Sequence, residues 1–354
     1  MSDTNNAAAF LQSATSAGAS DIFVVAGLPI SYKVNGIMHT EGERLMPHDT
    51  ELFIRNIYEL AGNRSIERFL ETGDDDFSFA IPGLSRFRVS TYKQRGSLAA
   101  VIRIIAFELP RPDEIGIPPA VLSLTSMTKG LILVTGPAGS GKSTTLSCLV
   151  DQINSTRQDH IITLEDPLEF LHRHKKSIVS QREISTDTDN YLTALRAALR
   201  QSPDVILLGE MRDHETIQTA MTAAETGHLV LSSLHTIGAA STISRIIDVF
   251  DPSQQHQIAM QLSMVLRAVI SQQLVPSIQG GMIPAFEIMI MTPAISNMIR
   301  DNKTHQIEGI IYTSAKEDMI SMDNSLLQLY KAGRISRETA LQYSTNAEML
   351  KKKL

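Results

Sequence analysis

The sequence predicts an α/β protein of two parts, a small α+β domain followed by a larger domain built on a parallel sheet. Three observations carry that prediction. Short, almost wholly apolar runs alternate with helix-periodic segments between residues 131 and 231, as buried parallel strands and their crossover helices do. A glycine-rich string, residues 136–143, separates the first such run from a helix-forming stretch. Four of the 14 prolines, Pro110, Pro112, Pro118 and Pro119, crowd together where neither a helix nor a central strand can continue. At 354 residues the chain is long enough for two cores at roughly 150 residues per domain. The expected division is a first domain over 1–106, a semi-rigid linker over 107–119 and a second domain over 120–354.

In the first domain Ile30, Tyr32 and Val34 alternate with polar residues, and Asn35-Gly36 supplies a tight hairpin turn before Ile37 and Met38. Asp49 or Thr50 is expected to cap a helix carrying Phe53, Ile54, Ile57, Tyr58 and Ala61, which Gly62 ends. Two period-two runs follow, Phe77-Phe79-Ile81 and Phe87-Val89-Thr91, joined by the turn signal Pro82-Gly83. This alternation places Arg86, Arg88 and Ser90 on the face opposite Phe87 and Val89, so the small sheet presents a row of arginines. Read without further context, that row is a solvated face or a set of ion pairs with Asp74, Asp75 and Asp76.

In the second domain Leu131–Val134, Ile161–Leu164, Val205–Leu208 and Leu229–Leu231 read as central strands. Tyr191–Leu199 and Ile217–Ala224 read as helices, the second stopped by Gly227.

Composition narrows the function classes. A net charge of −6 provides no global field for nucleic acid or anionic lipid, and the absence of Trp leaves few stacking aromatics for a single-strand binder. The single cysteine, Cys148, cannot form an internal disulfide or a four-cysteine zinc site, so it reads as buried filler in a reducing compartment. No signal segment or spanning helix is expected, and Lys351-Lys352-Lys353 reads as a solvated tail.

The string Gly136-Pro137-Ala138-Gly139-Ser140-Gly141-Lys142-Ser143 satisfies G-x-x-x-x-G-K-[ST], which chance gives in about one chain of this length in a hundred. It follows a strand and opens a helix, as the mechanism requires: glycines turn backbone N–H groups inward as an anion nest, and the helix N-terminus adds partial positive charge. Lys142 is expected to reach the β- and γ-phosphates, Ser143 to hold Mg²⁺, and Thr144 to continue the cradle. Hydrolysis further needs an acid that orients water, ideally at the C-terminal end of a neighbouring strand. Glu165 and Asp166 end one strand and Glu210 another, where Gly209 stands in the place of the usual Walker B aspartate. Glu210 is therefore assigned the water-activating role, with Glu165 or Asp166 contributing to the Mg²⁺ shell. His235 ends the strand that His228 begins, and on a strand parallel to the first it would lie on the nucleotide side as a γ-phosphate sensor.

These four segments, in this order, resemble the secretion-superfamily ATPases, and most closely the type IV pilus retraction (twitching motility) ATPases of the PilT type. Thr163–Phe170 is similar to the acidic box, Gly209–Asp213 to the Walker B region and Ala223–His228 to the approach to the His box. Ala19–Ile22, Arg86–Val89 and Gln94–Gly96 are similar to the family's PAS-like N-terminal domain. The resemblance implies a RecA-like ATPase domain with C-terminal helices and a cytoplasmic homohexamer with ATP bound between domains. It also implies Arg88 and Arg95, with Arg86 behind them, as arginine fingers, and the proline-rich linker as a hinge. The partners it implies are an inner-membrane pilus platform protein and, indirectly, pilin, with neither nucleic acid nor membrane insertion. Ala138, Phe23 and Lys93 depart from the family's usual residues, and Ala294–Asp301 resembles its retraction signature except at Ser296 and Asp301. Pilus-assembly ATPases share the motor domain but commonly add a tetracysteine motif, and a type IV secretion or conjugation ATPase differs mainly in partners. A RecA-like DNA motor and a non-hydrolysing scaffold are the remaining readings.

Overall fold

Period-two alternation in the first hundred residues becomes a six-stranded antiparallel sheet of order β3-β2-β1-β6-β5-β4. In the computed structural model the described residues are 7–34, 36–105, 109–314 and 318–354. Contacts divide the chain into two compact units, Met1–Glu108 with Glu169–Leu171, and Leu109–Leu168 with His172–Leu354. The first contains α1 (Ala7–Ser16), β1 (Asp21–Val24), β2 (Ile30–Val34), β3 (Ile37–Glu41), α2 (Pro47–Leu60), α3 (Glu67–Thr72), β4 (Asp74–Ile81), β5 (Ser85–Gln94) and β6 (Ser97–Ile105).

Its core joins Phe10 and Leu11 of α1 and Phe53, Ile54 and Ile57 of α2 to Ile22, Phe87, Val89 and Ile102 of the sheet. The expected hairpin forms between β2 and β3 with Val34 opposite Ile37, although Asn35 lies outside the described residues. Along β5, Phe87, Val89 and Thr91 are buried while Arg86 and Arg88 are half-buried and Ser90 is exposed, so the arginine row stands as the alternation predicts. Asp75 is held by Arg64 through two 3.0 Å bonds and by the Tyr58 hydroxyl at 3.0 Å. The helix cap differs from expectation. Met46 is the cap residue, and its N–H donates to Asp49 Oδ2 at 2.7 Å, so Asp49 acts from inside the first turn.

The second unit comprises α4 (Pro119–Ser123), β7 (Gly130–Thr135), α5 (Lys142–Thr156), β8 (His160–Glu165), β9 (Ile178–Glu183), α6 (Tyr191–Ala198) and β10 (Val205–Leu208). Next come α7 (His214–Glu225), β11 (Leu229–Leu234), α8 (Ala239–Asp248), α9 (Pro252–Val265), β12 (Leu266–Pro276) and β13 (Met282–Ile290). The chain closes with α10 (Pro293–Arg300), α11 (Ile307–Thr313), α12 (Met322–Lys331), α13 (Arg337–Gln342) and α14 (Ala347–Lys351).

The seven-stranded sheet has order β13-β12-β7-β11-β10-β8-β9, with β13 alone antiparallel to its neighbour. Alternate residues of the same strand serve opposite faces. Leu131 and Leu133 of β7 join a core with α6 to α11, whereas Ile132 and Val134 pack with Leu146, Leu149 and Ile153 of α5. Both faces are covered, which is why these strands read as continuous apolar runs.

Cys148 is buried in the α5 core, and burial pushes its thiol up to about 11, in keeping with inert filler. Of the expected linker, Phe107 and Glu108 lie outside the described residues. From Leu109 onward the segment belongs to the second unit: Ile117 is buried beside Val121, and Pro118 and Pro119 start α4. A last small core, Val275, Ala285, Met322, Leu326 and Ile335, holds α12 to α14 against β12 and β13.

Candidate active site

The end of β7 is tied to β12 by a glycine. Gly136 has φ 141°, and a Cβ there would stand 2.1 Å from the Gln272 carbonyl oxygen, so no side chain fits between the loop and β12. The loop then enters α5 through Gly141 at φ 87°, which has no side chain with which to cap the helix. The first N–H groups of α5 are accordingly presented to an anion. Lys142, buried, donates to the carbonyls of Gly136 and Pro137 at 2.9 Å each, while Ser143 and Thr144 stand half-exposed on the first turn. Thr145 donates to Gln272 Oε1 at 2.7 Å and fixes the underside of that turn on β12.

Strand register brings the remaining groups to the same end of the sheet. β11 lies between β7 and β10 and is parallel to both, with Leu234 opposite Thr135 and Ser232 opposite Leu208. His235, one residue past β11, puts Nδ1 3.5 Å from Lys142 Nζ and Nε2 3.4 Å from Glu210 Oε2. Glu210, 9% exposed, also pairs through Oε1 with Arg212 at 2.6 Å. Glu165 ends β8 beside β10, buried, with Gln181 of β9 donating to it at 3.4 Å, whereas Asp166 is exposed. His228 is at the other end of β11, where Nδ1 lies 2.9 Å from the Ala223 carbonyl, and is not brought to this cluster.

Among the described residues, no group of three or more His, Cys, Asp or Glu side chains is placed to hold a metal ion. The Ser143 hydroxyl on the first turn of α5 and the buried Glu165 carboxylate are hard oxygen donors of the kind that Mg²⁺ takes beside phosphate oxygens and water. The buried Oγ of Ser140 and Oε2 of Glu210 lack hydrogen-bond partners, leaving a hydroxyl that can donate to a phosphate oxygen and a carboxylate oxygen that can accept from water. A cavity of about 450 Å³, lined in part by Gly141, Thr144, Thr145, Gln272, Asp113 and Arg334, opens beside α5. The arginines of the first unit are placed as follows: Arg88 sits mid-strand opposite Arg103, and Arg95 occupies the β5–β6 turn at φ 50°.

A profile of the type II/IV secretion system proteins matches residues 4–339. The chain belongs to this family. It is 45% identical over 324 residues, 91% of this chain and 93% of the relative, to the type IV pilus retraction ATPase PilT of Pseudomonas aeruginosa. It is likewise 45% identical over 276 residues, 78% of this chain and 74% of the other, to a twitching motility protein of Neisseria gonorrhoeae. A crystal structure of the pilus retraction motor PilT with bound ADP superposes with a TM-score of 0.89 at 44% identity, covering 97% of this chain and 98% of that one. The ATPase superfamily fold expected from the sequence is therefore the fold observed.

Within this secretion-family site the Walker B departure sits at a sterically tight position. A Cβ on Gly209 would stand 2.8 Å from the Tyr191 hydroxyl and 3.2 Å from the Leu164 carbonyl, and Gly209 N–H already donates to that carbonyl at 2.8 Å. Tyr191 is not foreseen by the sequence reading. Burial first, then the charges of Glu210, Asp166 and Glu165, push its phenol upward, so it stays a neutral wall of the acidic cluster. Gln272 and Arg212 are likewise unforeseen. The segment similar to the retraction signature forms α10, where Ser296 donates to the Ser263 carbonyl of α9 at 3.0 Å and Asp301 pairs with Lys303 at 3.3 Å.

Filling the Gly209 position forces Tyr191 or β8 to move. Gly209→Ala should lower unfolding free energy by about 1–3 kcal/mol in denaturant titration. The loss should shrink in a Tyr191→Phe background; equal losses in both backgrounds would mean that Tyr191 is not the obstacle.

Proposed function

We propose that this chain is a Mg²⁺-dependent ATPase that powers type IV pilus retraction as a homohexameric ring. The observation that carries the reading is the convergence of Lys142, His235 and Glu210 from three adjacent parallel strands, all at the phosphate-loop end. Similarity to proteins named for pilus retraction and twitching motility supports the assignment of the work done.

In this reading the N–H groups of the loop and of the first turn of α5 bind the phosphate oxygens. Lys142 exchanges its contacts with the Gly136 and Pro137 carbonyls for the β- and γ-phosphates. Bound Mg²⁺ would neutralise charge developing on the β- and γ-oxygens, held by Ser143 and, through water, by Glu165. Glu210 accepts a hydrogen bond from the attacking water at its open Oε2 and orients it, while Arg212 on Oε1 fixes the carboxylate and His235 stands 3.4 Å from Oε2. His235, within reach of both Lys142 and Glu210, reports whether a γ-phosphate is present.

The first unit, taken as PAS-like, would present Arg88 and Arg95 to a neighbouring subunit's nucleotide as positive charges in trans. The ring would act from the cytoplasm on an inner-membrane platform protein, and through it on pilin. No helix among the described residues is long and apolar enough to cross a membrane.

Glu210→Gln should still bind ATP but hydrolyse it at least roughly tenfold more slowly in a steady-state phosphate-release assay. Near-normal turnover would move the water-orienting role to Glu165. Arg88→Ala should assemble into rings of normal size by light scattering and lose turnover by about three orders of magnitude or more, the scale of an arginine finger. Intact turnover in an assembled ring would exclude the trans role.

A further inference from the structure

Helix α8 begins four residues after His235, yet its cap residue, Gly238, has no side chain to receive the helix's first N–H groups. The two acceptors come instead from neighbouring strands. Ser271 Oγ of β12 accepts the Gly238 N–H at 2.9 Å, and Glu287 Oε1 of β13 accepts the Ala239 N–H at 2.8 Å. Ser271 and Glu287 are direct cross-strand partners, so the start of α8 is held by one rung of the sheet. Glu287 is buried, and the backbone N–H of Met322, first residue of α12, faces its carboxylate and favours its ionised form.

α12 is docked around that point from both sides. Ile288 and Ile320 exchange backbone bonds of 2.8 and 3.1 Å, and Ser325 Oγ accepts the Phe286 N–H at 3.1 Å. One carboxylate thus joins two helix N-termini, where negative charge is favourable. One helix follows His235 directly; the other leads through Leu329 to Arg334, both lining the cavity beside Gly141 and Thr144.

We infer that Glu287 is a positioning residue for hydrolysis: it fixes the His235 segment through the start of α8 and ties it to the C-terminal helices through α12. Burial, with the neighbouring carboxylates of Glu308 and Asp323, pushes the Glu287 carboxyl above its ordinary range, and the two backbone N–H groups act against that shift. A buried acid retained at a two-helix junction is otherwise an expensive way to fill space. The inference rests on the role proposed above for His235.

The test is steady-state ATP turnover of the full-length chain carrying Glu287→Gln, His235→Ala or both. The amide keeps one acceptor oxygen but turns a donor toward the second N–H, which breaks one side of the tie. Glu287→Gln should lower kcat about tenfold or more with KM for ATP unchanged, as for a misplaced catalytic group. Added to His235→Ala it should cause no further loss, because both act through one segment. Equal slowing in both backgrounds, or an unchanged kcat in the single variant, overturns the inference. Normal turnover by His235→Ala would remove the role of His235 and the inference with it, whereas a slow His235→Ala that Glu287→Gln slows further removes the inference alone. If Glu287→Gln does not fold, Ser271→Ala, which deletes the other acceptor of the same rung, is judged by the same outcomes.

Discussion

Everything at the candidate site depends on the in-register parallel pairing of β7, β11 and β10. Parallel strands carry their C-terminal ends to one edge, and the residues that follow those ends are the loop before Lys142, His235 and Glu210. Their backbones start at that one edge, and the side chains close the gap, with His235 3.5 Å from Lys142 Nζ and 3.4 Å from Glu210 Oε2. A slip of one residue in β11 would turn its buried side chains to the other face and destroy both cores at once. The packing that stabilises the sheet therefore also fixes the geometry of the site.

The same sheet explains which departures from the usual pattern can be accommodated. At Gly209 a side chain would press on the Tyr191 hydroxyl and the Leu164 carbonyl, so the position is tight for the usual aspartate. The carboxylate proposed to orient water, Glu210, stands one residue later, with Arg212 2.6 Å from Oε1 and His235 3.4 Å from Oε2. On the opposite side of β7, Gln272 uses its carbonyl to crowd Gly136 and its side chain to bind Thr145, so β12 braces the loop and the helix after it. Ser296, at the position of an arginine in the retraction signature, spends its hydroxyl on the Ser263 carbonyl and binds α10 to α9.

Much of this was legible in the amino-acid order. Glycine-rich phosphate loops and apolar central strands obey local rules, so residues 136–143, the four central strands and the carboxylates at their ends could be read directly, as could the arginine alternation on β5. Gln272 could not: its partner Thr145 lies 127 residues away in the chain, and a polar residue inside a strand gives no periodic signal. Strand β9 escaped notice because its sequence, Ile-Val-Ser-Gln-Arg-Glu, is mostly polar, as suits an edge. Asp49 was assigned to the wrong side of its helix start because a carboxylate three residues inside the helix can serve the cap as well as one outside. Glu287 was invisible for a similar reason, since its meaning lies in two helix N-termini that only the fold brings to it.

The central claim, that this phosphate loop and its strand-end residues drive pilus retraction, is tested most directly in cells whose gene is replaced by one encoding Lys142→Ala, with surface pili counted and their retraction followed by fluorescence. The account predicts that pili are made, accumulate and do not withdraw, while the variant protein remains folded and assembled. Pili that retract normally, or that fail to form at all, would contradict it.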